Sequence, residues 1–368
     1  MNPADDFQPT TEERERLALM SQPESWFLQH LAGPRELIDG QLLDAKLQYH
    51  YEERRRRPPE VVKAGRDLFY SAEGRAVARQ ALAREWALLT KVTAPMRSVE
   101  DRTIAGPRGG IAVRISTPQA QDVGALPLLV YFHGGGWIYS SIAAVDRCTR
   151  LLANEARAIV VSVEYGLAPE NPWPAANDDG EAAFRWAREN AVGLGSHPGM
   201  IGVGGDSAGG RIALDVSRRQ LAAGRPAPLC QLLYYTSGDF SSDHESHRLF
   251  GKGYGLDLAF FDFMRPLVFQ GEGALARAAQ QLQEASLKSM PATILATAGF
   301  DVLRDSGRNL ARRLEREGVP VTYLNYPSLT HGFLQWSGVT DDAERAAVDT
   351  ARLFGTAIRS RLAIVGRD

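Results

Sequence analysis

Cysteine is nearly absent. The 368 residues hold two, Cys148 and Cys230, far apart and without CxxC or CxxxC spacing. That argues against a zinc site or a dithiol redox motif and fits a reducing compartment, with both thiols as small core residues. Long hydrophobic runs are missing as well: LPLLVYF (126–132) falls far short of the roughly 20 apolar residues that a membrane-spanning helix requires. Neither sign of charge prevails, since 42 Lys and Arg face 44 Asp and Glu for a net charge of −2. A chain without a basic field has little to draw it to nucleic acid or anionic lipid. No internal repeat or low-complexity tract is visible. The opening MNPADDFQPTTEERER is acidic and polar where a secretory signal needs a basic start and an apolar stretch, so a cytoplasmic protein is expected.

The hydrophobic and charged fractions, 44% and 23%, are those of an ordinary globular chain. Residues 1–96 are rich in Glu, Arg, Ala, Leu and Gln, with apolar positions at helical spacing in RELIDGQLLDAKL and GRAVARQALAREWALLTKV. This predicts a helical N-terminal segment. The run EERRRRPPE (52–60) reads as a solvated loop without function, because its arginines abut Glu52, Glu53 and two prolines.

From about residue 97 the texture changes to short β-rich runs: SVEDRTI, IAVRIST, LPLLVYF, AIVVSVEY, MIGVGG, CQLLYY, ATILATA and VTYLNY. They alternate with helical stretches such as DGEAAFRWARENA and RNLARRLEREG. The pattern predicts an α/β class core over 97–368, a mostly parallel doubly wound sheet covered on both faces. The stretch 238–288 exceeds a simple crossover and reads as an insertion whose LDLAFFDFMRPLVF segment packs over the carboxyl edge of the sheet.

Gly205-Asp206-Ser207-Ala208-Gly209 lies between an apolar strand and a helical run, which is G-x-S-x-G in the strand, turn, helix context of a nucleophile elbow. Glycines at both flanks permit the strained turn that lifts the Ser207 hydroxyl above the sheet. Alone the pattern is weak. Upstream, LPLLVYF ends in His133-Gly134-Gly135-Gly136-Trp137, and backbone N–H groups can reach a tetrahedral oxyanion only where no side chain intervenes. Gly134, Gly135 and Gly136, with Ala208 after the nucleophile, are therefore the candidate oxyanion donors. His133 is better placed to hold that loop by hydrogen bonds than to act as a base.

In this fold the nucleophile is followed by an acid and then a histidine, each after a successive strand. Of seven histidines, His331 alone fits the last place, after VTYLNY and the turn PSLT. An imidazole can take and return a proton near neutrality. Asp301 comes first after ATILATA, where a carboxylate can fix the tautomer of that imidazole. Asp305 is placed instead to open the helix that follows. No cofactor and no metal are called for.

Together these residues resemble the hormone-sensitive-lipase-like group of bacterial esterases, sometimes called family IV. The resemblance covers roughly residues 97–340, through VEDRTIAGPRGGIAVRI, HGGGW, EYGLAPENPWPAANDD, GDSAGG, GFDVLRD and HGF. It implies an α/β-hydrolase fold, a Ser207, Asp301, His331 triad, and a helical cap built from 1–96 and part of 238–288. It also implies short- to medium-chain esters as substrates. Where the family commonly has arginine in Y-R-L-A-P-E this chain has Gly166, and where it has asparagine after G-D-S-A-G-G this chain has Arg211. Both positions are expected to lie away from the triad and to affect local packing or the rim of the pocket. The partner expected is a small-molecule ester, without nucleic acid or membrane, and a homodimer stays open. Amide, lactone or deacetylation chemistry with the same triad, or receptor-like binding on the same scaffold, are the alternatives.

Overall fold

The structure is a computed structural model that describes residues 8–119, 124–239, 243–283 and 285–365. The first seven residues of the N-terminal stretch, and residues 240–242 and 284 of the insertion, lie outside the described residues.

The eight β-rich runs form one sheet: β1 (Ser98–Gly106), β2 (Gly109–Thr117), β3 (Leu128–Phe132), β4 (Ile159–Val163), β5 (Ile201–Asp206), β6 (Cys230–Tyr234), β7 (Ala292–Phe300) and β8 (Val321–Thr330). Their spatial order is β1-β2-β4-β3-β5-β6-β7-β8, with β2 antiparallel to both neighbours and β4 to β8 joined to their other neighbours in parallel. Parallel strands lie between layers of helices, which is why β3, β4, β5, β6 and β7 are buried at every residue and read as unbroken apolar runs.

Among the described residues, five α-helices precede the sheet: α1 (Thr11–Met20), α2 (Glu24–His30), α3 (Ala45–Arg55), α4 (Pro59–Asp67) and α5 (Ala72–Leu89). The helical spacing of RELIDGQLLDAKL does not give one continuous helix. Leu37–Ile38 and Gln41–Leu42 pair as a short hairpin, and Asp39 (φ 53°) and Gly40 (φ 72°) occupy its turn. Two left-handed residues in succession are what an Asp-Gly pair provides most cheaply, and that local preference overrides the apolar spacing. Asp44 then opens α3 by accepting from the N–H groups of Lys46 and Leu47.

The remaining helices are α6 (Ile142–Ala156), α7 (Ala175–Glu189), α8 (Ala208–Ala222), α9 (Glu245–Phe250), α10 (Leu258–Val268), α11 (Ala274–Gln283), α12 (Arg304–Arg316) and α13 (Asp341–Val365). One face of the sheet is covered by α6 and α13, joined by residues of α2 and α3 such as Phe27, Leu47 and Tyr51. The other is covered by α7, α8 and α12. In α12, Gly307, Leu310, Ala311 and Leu314 recur at the spacing that gives a helix one buried stripe.

A third apolar cluster stands apart from the sheet. Phe69, Met264, Val268, Phe269, Ala274 and Ala278 meet Ile138 and Ala168 of the loops that leave β3 and β4. The N-terminal segment is thus divided: α2 and α3 share a core with the sheet, and the stretch between α4 and α5 packs with α10 and α11 on the loops above it. Gly166, one of the two positions that depart from the family pattern, lies in the second of these loops, where its N–H donates to Asp179.

Candidate active site

The chain turns sharply where β5 meets α8. Ser207 takes φ 53° and ψ −117°, a region that an L-residue enters only when its surroundings enforce it. Two contacts do so: its N–H donates to the Tyr234 carbonyl at 2.9 Å, and the Thr236 hydroxyl donates to its carbonyl at 2.7 Å. Glycine at 209 is required by proximity, because a Cβ there would collide with the Phe132 carbonyl.

The structure brings the three sequence candidates together. His331 Nε2 lies 2.9 Å from Ser207 Oγ, and His331 Nδ1 lies 2.9 Å from Asp301 Oδ2. Asp301 is buried at the end of β7, and its other oxygen accepts the Leu303 N–H at 2.8 Å, which fixes the carboxylate plane. The Tyr235 ring stands edge-on to the imidazole at 4.8 Å. Asp305 is turned elsewhere. It accepts from Arg304, Arg308 and the Ser246 N–H. Burial acts to raise its carboxyl, but the Arg304 guanidinium and the Ser246 N–H outweigh it and hold the group below the usual carboxylate range.

Of the four candidate anion donors, Gly134 must be withdrawn. Its N–H donates to Asp206 Oδ1 at 2.8 Å and cannot also serve an oxyanion. Gly135 (φ 113°) and Gly136 (φ 60°) then turn the loop over, and among the described residues their N–H groups meet no acceptor. Ala208 opens α8, where the first-turn N–H groups have no partner within the helix.

Asp206 is the residue that motif reading passed over, although it was visible as the variable position of G-x-S-x-G and as a carboxylate ending an apolar strand. Besides Gly134 it accepts from the Tyr131 hydroxyl at 2.7 Å and the Tyr235 hydroxyl at 3.3 Å. Burial pushes its carboxyl up, and the Tyr131 hydroxyl, the nearby imidazoles and the Gly134 N–H oppose that push. One buried carboxylate therefore ties the glycine loop to the tyrosine that backs His331. His133 is also buried: its ring stacks on Tyr165 at 4.3 Å, and Tyr165 donates to its carbonyl at 2.7 Å. Burial lowers its imidazole to about 4, so it is neutral near pH 7.

Ser207 opens into a cavity of about 210 Å³. Leu256, Leu258, Phe260, Phe261 and Met264 line one side, and Gly136, Trp137 and Ala208 the other. Arg211 lines it too, so this departure from the family pattern faces the same cavity as Ser207 instead of lying away from it. Among the described residues, no group of three or more His, Cys, Asp or Glu side chains is arranged to hold a metal ion, and no helix is long and apolar enough to cross a membrane.

A family model described as the alpha/beta hydrolase fold matches residues 129–335. The carboxylic ester hydrolase LipN of Mycobacterium tuberculosis is 40% identical over 246 residues, which is 64% of this chain and 64% of LipN. The carboxylesterase NlhH of the same species is 36% identical over 76% of this chain and 88% of its own length. Among solved structures, the ester-hydrolase EH1AB1 from the metagenome of Lake Arreo, complexed with a bipyridine phosphonate derivative, is 31% identical. It superposes with a TM-score of 0.74 over 95% of this chain and 99% of that one. A family match over more than half of the chain, with relatives of this identity and coverage, leads to one conclusion: the chain belongs to the alpha/beta hydrolase fold family, in its hormone-sensitive-lipase-like branch of esterases.

Proposed function

We propose that the protein is a serine carboxylesterase that hydrolyses short- to medium-chain esters of small molecules through an acyl-enzyme. The observation that carries this reading is the unbroken hydrogen-bonded line from Asp301 through His331 to Ser207, set on a strained turn beside free glycine-loop N–H groups. Ser207 Oγ attacks the ester carbonyl carbon while His331 Nε2 takes its proton. Asp301 holds the imidazole in the tautomer with the proton on Nδ1 and stabilises the cation that forms. The N–H groups of Gly135, Gly136 and Ala208 receive the developing oxyanion. Collapse of the tetrahedral species expels the alkoxide, which takes the proton back from His331 and leaves as alcohol. Water, deprotonated by the same imidazole, then attacks the acyl-enzyme, and a second collapse releases the carboxylic acid.

The helical layer formed by α4, α5, α10 and α11 acts as a cap over this site. Its attachment is polar as well as apolar: Arg75 and Arg79 of α5 both pair with Glu170, at 2.7 and 2.9 Å, and Arg79 also donates to the Ile138 and Ala168 carbonyls.

Hydrolysis of p-nitrophenyl esters from acetyl to palmitoyl, measured beside Ser207→Ala, tests the reading. Rates are expected to be highest on the short chains and to fall roughly 10⁴- to 10⁶-fold in the variant. A folded wild type that is as inert as the variant across the whole series overturns it.

A further inference from the structure

The run EERRRRPPE begins in the last turn of α3, and two neighbouring arginines in it are used differently. Arg56 pairs with Glu53 on the open surface. Arg55 instead grips Glu36 with its fork, Nη1 and Nη2 donating to the two carboxylate oxygens at 2.6 and 3.3 Å. Its Nε donates to the Gly253 carbonyl at 3.1 Å, and the guanidinium lies over the Tyr254 ring, 4.8 Å from its centre. The Tyr254 hydroxyl donates in turn to Glu36 Oε2 at 2.6 Å. A surface ion pair alone contributes little, because water competes for both partners. Here the Glu36 side chain is only 17% exposed, and the guanidinium serves a carboxylate, a carbonyl and a ring at once, which a simple charge cannot do.

The segment held in this way is the connection from α9 to α10, GKGYGLD (251–257). Three of its seven residues are glycine, and Gly253 (φ 92°) and Gly255 (φ 98°) lie in the left-handed region. It belongs to no helix or strand, so no regular backbone ladder fixes it, and glycine has the most conformational freedom to lose. Inward, the Tyr254 ring meets those of Phe250 and Phe300 at 5.6 and 5.5 Å, and Phe300 directly precedes Asp301. A Cβ on Gly255 would meet the Tyr51 hydroxyl at 2.7 Å, and that hydroxyl shares a hydrogen bond of 3.0 Å with Thr330, which directly precedes His331. Outward, Leu256 and Leu258 line the cavity and lead into Phe260, Phe261 and Met264. The connection therefore runs from the carriers of the triad to the apolar wall of the cavity.

We propose that Glu36, Arg55 and Tyr254 form a latch that sets where this connection delivers α10, and that Arg55 is thereby a positioning residue for the chain length the cavity accepts. This rests on the esterase reading above and adds a determinant of specificity outside the cavity, since none of the three side chains lines it. With the latch closed, Leu256 and Leu258 are held against a short ester. With it broken, the glycines let the start of α10 give way, so contacts with a short chain are lost and room for a longer one opens.

The test measures kcat and KM for p-nitrophenyl acetate, butyrate and octanoate. In Arg55→Met the ratio of kcat/KM for octanoate over butyrate should rise roughly fourfold, the worth of one further buried methylene, and the loss on butyrate should fall on KM more than on kcat. Arg55→Lys, which keeps the charge without the fork, should return part of the way. Tyr254→Phe, which keeps the ring and loses the hydroxyl, should move the ratio in the same direction by less. Arg56→Met breaks the neighbouring exposed pair and should leave the ratio at its wild-type value. Arg55→Met combined with Glu36→Gln should do no more than Arg55→Met alone, because both belong to one contact. If Arg55→Met does not fold, Tyr254→Phe against Arg56→Met decides by the same ratio. A folded, active Arg55→Met with the wild-type ratio overturns the inference and leaves the esterase reading standing. So does a fall confined to kcat at every chain length, which would mean that the contacts only support the triad. A folded wild type inert on every ester overturns the esterase reading and the inference with it.

Discussion

The carboxyl edge of the sheet and the helical layer above it are built on different terms. At the edge, polar groups lie buried and satisfy one another: Asp206 alone accepts from Tyr131, Gly134 and Tyr235, and Asp301 from Leu303 while it faces His331. In the layer, the contacts that face inward are aromatic, Phe69 on Tyr139 at 4.2 Å and Phe263 at 5.7 Å, while Val61, Val62, Tyr70 and Val77 are exposed. Buried hydrogen bonds fix atoms to within tenths of an ångström, because leaving a partner unsatisfied is expensive. Aromatic packing is tolerant of small shifts. The comparison teaches that the proposed reaction geometry rests on buried polar pairs at the edge, and that the wall of the cavity above it is set by apolar packing in the layer.

The largest test of this division falls on Asp206. Asp206→Ala removes the acceptor of the Gly134 N–H and frees the glycine loop, so kcat should fall about 100- to 1,000-fold, the range for loss of one oxyanion donor, with KM little changed. Asp206→Asn keeps an acceptor oxygen and should recover much of the loss. Steady-state kinetics of both variants, with melting temperatures as a control for folding, check it. A loss confined to KM, or equal loss in Ala and Asn, would break the claim that the edge acts by positioning the loop.

A smaller effect concerns two buried imidazoles, one at the edge and one in the core that α3 shares with the sheet. Burial lowers His133, at the edge, to about 4, and lowers His50, on α3, to about 3, with Arg54, Arg16 and Arg57 adding to the latter. Above pH 6.5 both are neutral in folded and unfolded chains and contribute no pH dependence. Between 6.5 and the depressed value the unfolded chain binds a proton that the folded chain refuses, so stability falls as pH falls, by about 1.4 kcal/mol per unit for each group. At pH 5 each should have removed about 2 kcal/mol. Denaturant unfolding of wild type and His50→Gln at pH 7 and pH 5 should show a pH loss smaller by that amount in the variant, whereas identical losses would mean that His50 protonates freely in the folded chain.

How far the sequence foretold this division depends on the range of the signal. The eight strands were legible because buried parallel strands carry unbroken apolar runs, and Ser207, Asp301 and His331 because each follows a strand in fixed order. Assigning the glycine donors was another matter: whether the Gly134 N–H is free depends on Asp206, 72 residues away and brought beside it by the pairing of β3 with β5. The place of Arg211 facing the cavity depends likewise on α10 closing the opposite wall. The hairpin at Asp39-Gly40 was readable from its dipeptide and was masked by apolar residues that happen to fall at helical spacing. The split of residues 8–96 between the core of the sheet and the third cluster has no local signature, since Phe27 and Phe69 look alike until the layers are assembled.

The smallest expected effect concerns Phe260, where the two regions touch. A Cβ built on Gly136 would meet the Phe260 ring at 2.7 Å, so the aromatic side chain of α10 rests directly on the glycine loop and closes one side of the cavity. Truncation to Ala opens room for roughly one or two further methylenes, each worth about 0.8 kcal/mol when buried. The ratio of kcat/KM for p-nitrophenyl octanoate over butyrate should therefore rise roughly four- to fifteenfold in Phe260→Ala. A rise in that ratio places the limit on chain length in the helical layer. A uniform fall in kcat at every chain length would instead mean that the ring steadies the glycine loop, and that the layer shares the positioning role assigned here to the edge alone.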